Sequence, residues 1–125
     1  KKKCARLKTA GGFHSPLMTS ASEALANYFA GSDAPVFNEA EITLICNTDA
    51  APFLVSEAAE RLSRQVISPV LFEQGVNYLI SQGESEFIEI GYGGVLFTMM
   101  KRISKEVDRV RVGMREQFDE YVSTL

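Results

Sequence analysis

The chain of 125 residues contains no tryptophan, a single histidine and two cysteines, and these shortages limit the chemistry it can hold. A structural zinc site needs about four cysteine or histidine ligands. Cys4 and Cys46 lie far apart in the sequence, without CxxC spacing and with only His14 to assist them. We therefore predict no metal site, and we expect both cysteines to be reduced, structural thiols.

Long apolar runs and a strong excess of one charge are also missing. No apolar stretch approaches the roughly 20 residues needed to span a bilayer, and no signal-peptide segment follows the basic opening KKKCARLKTA. The formal net charge of -3 argues against an extended nucleic-acid interface. A cytoplasmic protein without membrane or nucleic-acid partners is predicted. Its composition, 46% hydrophobic and 23% charged, is typical of a domain with a packed core.

The spacing of apolar residues and turn residues predicts alternating strands and helices. Strands are predicted at residues 5–9, 42–46, 86–90 and 110–112, of which 42–46 (ITLIC) is apolar enough to be covered on both faces. Helices are predicted to begin near Pro16, Ser56, Pro69, Val95 and Met114, because Ser-Pro pairs and capping residues precede apolar residues at helical spacing. This order indicates an α/β fold with a mainly parallel sheet and flanking helices.

The glycine-rich segment GYGG, residues 91–94, lies between a predicted strand and a predicted helix and has two interpretations. Free N–H groups at a helix N-terminus can hold a phosphate. The segment is neither GxGxxG nor a Walker loop, however, and Tyr92 would crowd a pyrophosphate. A turn where strand and helix pack closely is the simpler interpretation.

His14 lies in the segment GGFHSPLM, between a predicted strand and the Ser15-Pro16 start of a helix. A single histidine is most often a structural residue. At this edge of an α/β sheet, however, ligands usually bind, and a nearby helix N-terminus favours the neutral imidazole that a general base requires. Such a base would need an acceptor for its other ring nitrogen and a nucleophile to activate.

Four segments in register resemble one enzyme family: GGFHSPLM, CNTDAAP, RQVISPVLFEQGVNYLISQG and EIGYGGVLFTMMKRI. They are similar to the C-terminal part of malonyl-CoA:acyl carrier protein transacylases and of the related polyketide synthase acyltransferase domains, over about residues 9–103. The resemblance implies the C-terminal part of an α/β-hydrolase-like large subdomain at residues 11–125, preceded at residues 1–10 by the end of a small inserted subdomain. In this family a serine of a GHSxG elbow carries malonate from coenzyme A to the phosphopantetheine thiol of acyl carrier protein, without a further cofactor.

The resemblance also implies roles for four residues. His14 stands at the position of the catalytic base, and Gln65 at the residue whose carbonyl steadies that histidine through its second ring nitrogen. Phe13 matches the position where the synthase domains carry Phe for malonyl and Ser for methylmalonyl selection. Asn47 falls in a loop expected near the active site.

Other family elements have no counterpart in the 125 residues: the GHSxG elbow, the oxyanion-hole glutamine and the arginine that holds the malonyl carboxylate. Tyr92 also replaces the proline of the family's Gly-Pro-Gly turn. Two hypotheses follow. The chain is the C-terminal part of an acyltransferase of fatty acid or polyketide synthesis, completed by a missing N-terminal part, or it is a non-catalytic fragment that binds a carrier or partner chain.

Overall fold

The computed structural model describes residues 9–125, so Cys4 and most of the strand predicted at residues 5–9 lie outside the described residues. The described part divides into two compact units, the first ending at Gly75 and the second comprising Val76–Leu125. Its elements in chain order are a 3-10 helix Pro16–Met18, α1 Thr19–Phe29, a 3-10 helix Val55–Glu57, α2 Ala58–Gln65, α3 Phe72–Ser81, β1 Glu86–Ile90, α4 Val95–Ile103, β2 Asp108–Val112 and α5 Arg115–Val122.

The first helical segment begins where the Ser-Pro pair predicts it. Ser15 has extended backbone and its hydroxyl accepts a hydrogen bond from Leu17 N, which satisfies one of the free N–H groups of the first turn. Pro16 occupies the first position, where its missing N–H costs nothing. The 3-10 turn leads directly into α1, and the helix ends at Phe29, two residues before Gly31. This prediction is confirmed.

Helices α1 and α2 pack against each other through small residues. Ser22 on α1 donates its hydroxyl to the backbone oxygen of Ser63 on α2 at 2.7 Å, and both serines are buried. Ser63 in turn donates to Ala59 O, so neither buried hydroxyl lacks a partner. The inward face of α1 is therefore centred on Ser22, while Leu17, in the 3-10 helix that precedes α1, is exposed.

Residues 42–46 do not form the doubly covered strand that their apolar run predicts. Within the described part of the chain, the only strand pairing that residues 42–46 make is a single antiparallel bridge between Ile45 and Pro52. The chain folds back on itself here, with Cys46 N donating to Ala51 O and Phe53 N donating to Leu44 O. A strand needs neighbouring strands on its open edges, and the described residues of this unit supply only this short return.

The second unit contains the parallel pairing that the sequence predicts. Strands β1 and β2 run parallel, in register from Glu86 opposite Asp108 to Ile90 opposite Val112. The connection between them is helix α4, the crossover that a parallel pair requires. The buried apolar residues of the unit are Val76, Met100, Val107 and Val112. The α/β class with parallel strands and flanking helices is confirmed.

Within residues 9–125, none of the helices combines the length and the apolar character that crossing a membrane would demand.

Candidate functional site

The loop that carries His14 is held in a tight and unusual backbone conformation. His14 has a φ of 59°, in the left-handed region that few residues other than glycine adopt. Ser15 donates its hydroxyl to Gly12 O at 2.6 Å, which ties the two sides of the loop together. A Cβ on Gly12 would lie 2.9 Å from Leu17 Cδ1. The exposed end of Leu17 can move aside, but its Cβ would lie at 3.0 Å and moves only with the backbone, so glycine is the residue that fits the loop without a shift.

The imidazole of His14 is fixed by two backbone carbonyls. Its Nδ1 lies 3.0 Å from Gln65 O and 3.2 Å from Ser68 O. A carbonyl oxygen only accepts, so Nδ1 must carry the hydrogen. In the neutral ring this leaves the lone pair on Nε2, which is the atom that can take a proton from another group.

The backbone of His14 is attached to the same segment as its ring. Its N–H donates to Val66 O at 3.1 Å, so backbone and ring together bind three carbonyls, one from the last residue of α2 and two from the three residues after it. Carbonyls at a helix C-terminus lack intrahelical partners and are free to accept. The end of α2 therefore sets both the position and the orientation of His14.

A shallow pocket of about 240 Å³ opens beside the ring. Its lining residues are Phe13, His14, Met18, Leu62, Gln65 and Val66. Apart from His14 and Gln65 these side chains are apolar. The structure thus brings together three of the four residues that the sequence singles out, namely Phe13, His14 and Gln65.

Asn47 does not line this pocket. Its backbone oxygen accepts a hydrogen bond from Leu71 N at 2.9 Å, and the residue is exposed. Its link to His14 is therefore indirect, through the segment of residues 65–71 that follows α2.

An ionic cluster that the sequence analysis overlooked holds the loop of residues 47–52 against α2. Arg61 forms ion pairs with Asp49 at 3.0 Å and with Glu57 at 2.6 Å. Burial lowers the pKa of Arg61, but the hydrogen bond to Glu57 and the nearby charges of Asp49 and Glu57 outweigh this effect, so the pKa lies above its ordinary value. The four-residue spacing between Glu57 and Arg61 is the sequence pattern that could have predicted this ion pair, because residues four apart lie on the same face of a helix.

The GYGG turn shows why its glycines are present. The carboxylate of Glu89 already accepts from Leu96 N at 3.3 Å and from Phe97 N at 2.9 Å, at the N-terminus of α4. A phosphate would have to displace it. Gly91, Gly93 and Gly94 have φ values of 127°, 114° and 77°, which residues with a Cβ rarely adopt, and this favours the interpretation as a tight turn.

Comparison with known proteins gives a consistent result, although no protein-family model matches the chain. The malonyl CoA-acyl carrier protein transacylase of Bacillus subtilis (strain 168) is 35% identical over 127 residues, which covers 99% of this chain and 38% of that protein. The polyketide biosynthesis protein PksE of the same strain is 32% identical over 102 residues, 82% of this chain and 13% of that protein. The crystal structure of MCAT from Streptococcus pneumoniae superimposes with a TM-score of 0.87 at 33% identity, covering 95% of this chain and 38% of that chain.

Fold and comparisons together describe an α/β chain that matches a part of known transacylases over almost its whole length. The chain belongs to the family of malonyl-CoA:acyl carrier protein transacylases and related polyketide acyltransferases, and it spans about 38% of the length of the Bacillus subtilis relative.

Proposed function

We propose that this chain supplies the general base of an enzyme that transfers a malonyl group from coenzyme A to acyl carrier protein. His14 is the base, and the backbone oxygen of Gln65 orients it. The nucleophilic serine comes from outside the 125 residues, because the sequence holds no GHSxG segment. The likeness to the Bacillus subtilis transacylase supports the donor and the acceptor named here.

The observation that carries the proposal is the fixed Nδ1 of His14. With Nδ1–H bound to Gln65 O and Ser68 O, Nε2 is left with its lone pair. A serine hydroxyl placed beside Nε2 would lose its proton to the ring as its oxygen attacks the thioester carbonyl of malonyl-CoA. The resulting imidazolium then protonates the departing thiolate of coenzyme A, which leaves malonate as a seryl ester.

The second half of the cycle repeats the first with a different nucleophile. The phosphopantetheine thiol of the carrier gives its proton to Nε2 and attacks the seryl ester, and the imidazolium returns a proton to the serine oxygen. Phe13, beside His14 in the pocket, is proposed to select malonyl over methylmalonyl groups by its bulk. We assign the reaction to the cytoplasm and to fatty acid synthesis.

A polyketide pathway is the second candidate, favoured by the 32% identity to PksE over 82% of the chain. A non-catalytic chain that binds a carrier or a partner is the third, favoured by the missing serine elbow. Substitution of His14 separates the third candidate from the other two.

The test is the substitution His14→Asn in the complete protein that carries this sequence. Asparagine tolerates the left-handed backbone of position 14 and its amide can donate to the same carbonyls, but it cannot accept a proton. We expect serine acylation by radiolabelled malonyl-CoA to fall by about 10²–10⁴-fold, the usual contribution of a general base. Thr124→Ala, an exposed change near the C-terminus, is the control and should keep parental activity. Equal acylation by parent and His14→Asn would refute the assignment.

A further inference from the structure

The segment of residues 65–71, which presents the carbonyls to His14, has few attachments of its own. Ser68 N donates to Gln65 O at 3.3 Å, which closes the turn. Pro69 has no N–H to donate. The next N–H along the chain that has a backbone partner, that of Leu71, donates to Asn47 O at 2.9 Å. The backbone of this segment is thus anchored at the end of α2, at the His14 loop through Val66 O, and beyond Ser68 only at the loop of residues 47–52.

That loop is attached to α2 chiefly by one side chain. Arg61 binds Asp49 at 3.0 Å and also donates to the backbone oxygen of Pro52 at 3.3 Å, so it holds both sides of the loop. Its side chain is only 11% exposed, where an ion pair is weakly screened by solvent. Arg64 also reaches this loop, but its contacts are longer, at 3.8 Å to Asp49 and 3.4 Å to Thr48 Oγ1, and its side chain is 46% exposed. Arg61 is thus the stronger of the two attachments.

The contacts form a closed path through the first unit. Arg61 on α2 holds Asp49, the Asp49 loop binds Leu71 through Asn47, and the segment before Leu71 presents Ser68 O to His14 Nδ1. The other acceptor, Gln65 O, is one turn further along the same helix as Arg61. A displacement of the loop would move one acceptor relative to the other and rotate the imidazole.

From this path we infer that Arg61 is a positioning residue for His14, acting through Asp49 and the loop of residues 47–52 on the acceptors of Nδ1. Arg61 touches no substrate in this inference, which rests on the proposed function of His14. Its role is to keep Nε2 aimed at the nucleophile. Small errors in the position of a catalytic group slow a reaction strongly, since a displacement of about 1 Å can lower the rate by about 10²-fold.

The experiment compares Arg61→Leu, Arg61→Lys and Asp49→Asn in the complete protein. Arg61→Leu removes the attachment of the loop to α2. Arg61→Lys keeps the positive charge, but an ammonium group cannot bind two carboxylates and a carbonyl in one plane. Asp49→Asn keeps the shape of the Asp49 side chain without its charge. We expect Arg61→Leu to lower kcat by about 10–100-fold with little change in KM for malonyl-CoA. The kcat values of Arg61→Lys and Asp49→Asn should lie between those of Arg61→Leu and the parent. Arg115→Leu, which breaks the exposed Arg115–Asp119 pair of α5, is the matched control.

A second readout does not depend on activity. In protein labelled with ¹⁵N-histidine, the imidazole signals that vanish in His14→Asn belong to His14, and they report which ring nitrogen carries the hydrogen. We expect Arg61→Leu to change the Nδ1 signal and Arg115→Leu to leave it unaltered. If Arg61→Leu folds and shows the parental Nδ1 signal and the parental kcat, the inference is overturned. If Arg61→Leu does not fold, the same result in Asp49→Asn overturns it. An inactive parent would count against the proposed function instead, and the Nδ1 signal would still decide the role of Arg61.

Discussion

The Nδ1 atom of His14 lies 3.0 Å from the backbone oxygen of Gln65, so the contact uses an atom that every residue possesses. The identity of the side chain at position 65 therefore does not determine this hydrogen bond. What determines it is that α2 ends at this residue and leaves its last carbonyls without intrahelical partners.

The first prediction separates the backbone of Gln65 from its side chain. Gln65→Ala keeps the carbonyl and the helix, so we expect it to lower malonyl transfer in the complete protein by less than about tenfold, against about 10²–10⁴-fold for His14→Asn. Initial rates with malonyl-CoA and acyl carrier protein provide the measurement. A loss as large as that of His14→Asn would show that the amide of Gln65 has a chemical role of its own.

The position of Gln65 was predictable only because the segment RQVISPV is similar to a known family. Fifty-one positions separate it from His14, and no local pattern relates a helix end to a loop so distant in sequence. The start of the first helix was predictable from chemistry alone, since Ser15 and Pro16 act on their immediate neighbours. Local capping was thus readable from the sequence, whereas the tertiary contact was not.

The second prediction concerns the glycine beside the histidine loop. A Cβ on Gly12 would lie 2.9 Å from Leu17 Cδ1, 3.0 Å from Leu17 Cβ and 3.2 Å from Ser15 Oγ. The exposed Cδ1 can move aside, but the Cβ contact requires a small shift of the backbone in Gly12→Ala. We expect a loss of about 1 kcal/mol in the free energy of unfolding, at the low end of the cost of overpacking because Leu17 is exposed and can partly yield, together with reduced malonyl transfer. Thermal or denaturant unfolding and initial rates are the measurements.

The neighbouring glycine is the matched control for that prediction. A Cβ on Gly11 would meet only the ring of Phe13, at 3.4 Å, so Gly11→Ala should change stability little. The double variant Gly12→Ala/Leu17→Ala should recover part of the loss, because Leu17 is exposed and its truncation opens space. Equal effects of Gly11→Ala and Gly12→Ala would contradict the steric explanation.

The third prediction concerns acyl selectivity. Phe13 lines the same pocket as His14, and Phe13→Ser removes the aromatic ring from it, so methylmalonyl-CoA should compete better in that variant. One methylene in an apolar pocket is worth about 1–3 kcal/mol of discrimination. Mass spectrometry of the acylated carrier, after competition between the two thioesters, measures the product ratio. An unchanged product ratio would show that Phe13 does not determine selectivity. Met18→Leu, which keeps a similar side-chain volume in the same pocket, is the control.

The segment of residues 42–46 shows the limit of apolar patterning. Its composition predicts a strand covered on both faces, yet Ile42 is exposed and only Ile45 makes a bridge. An apolar run indicates that a segment can be buried, but the segment forms a sheet strand only where a neighbouring strand pairs with it. Residues 86–90 have such a partner in β2, and there the prediction is confirmed to the residue.

The last prediction is that these 125 residues alone transfer no malonyl group. His14 without a serine has nothing to activate, and the sequence contains no GHSxG segment to supply the nucleophile. We also expect low stability and self-association, because Ile42, Ile90 and Tyr92 are 82%, 83% and 88% exposed, and such apolar surface promotes aggregation. The purified chain is incubated with radiolabelled malonyl-CoA and acyl carrier protein, with a full-length transacylase as positive control, and a thermal melt and a sizing run accompany the assay. Label on the carrier or on the chain itself would place a nucleophile within the 125 residues, and a sharp monomeric melt at high temperature would contradict the expected instability.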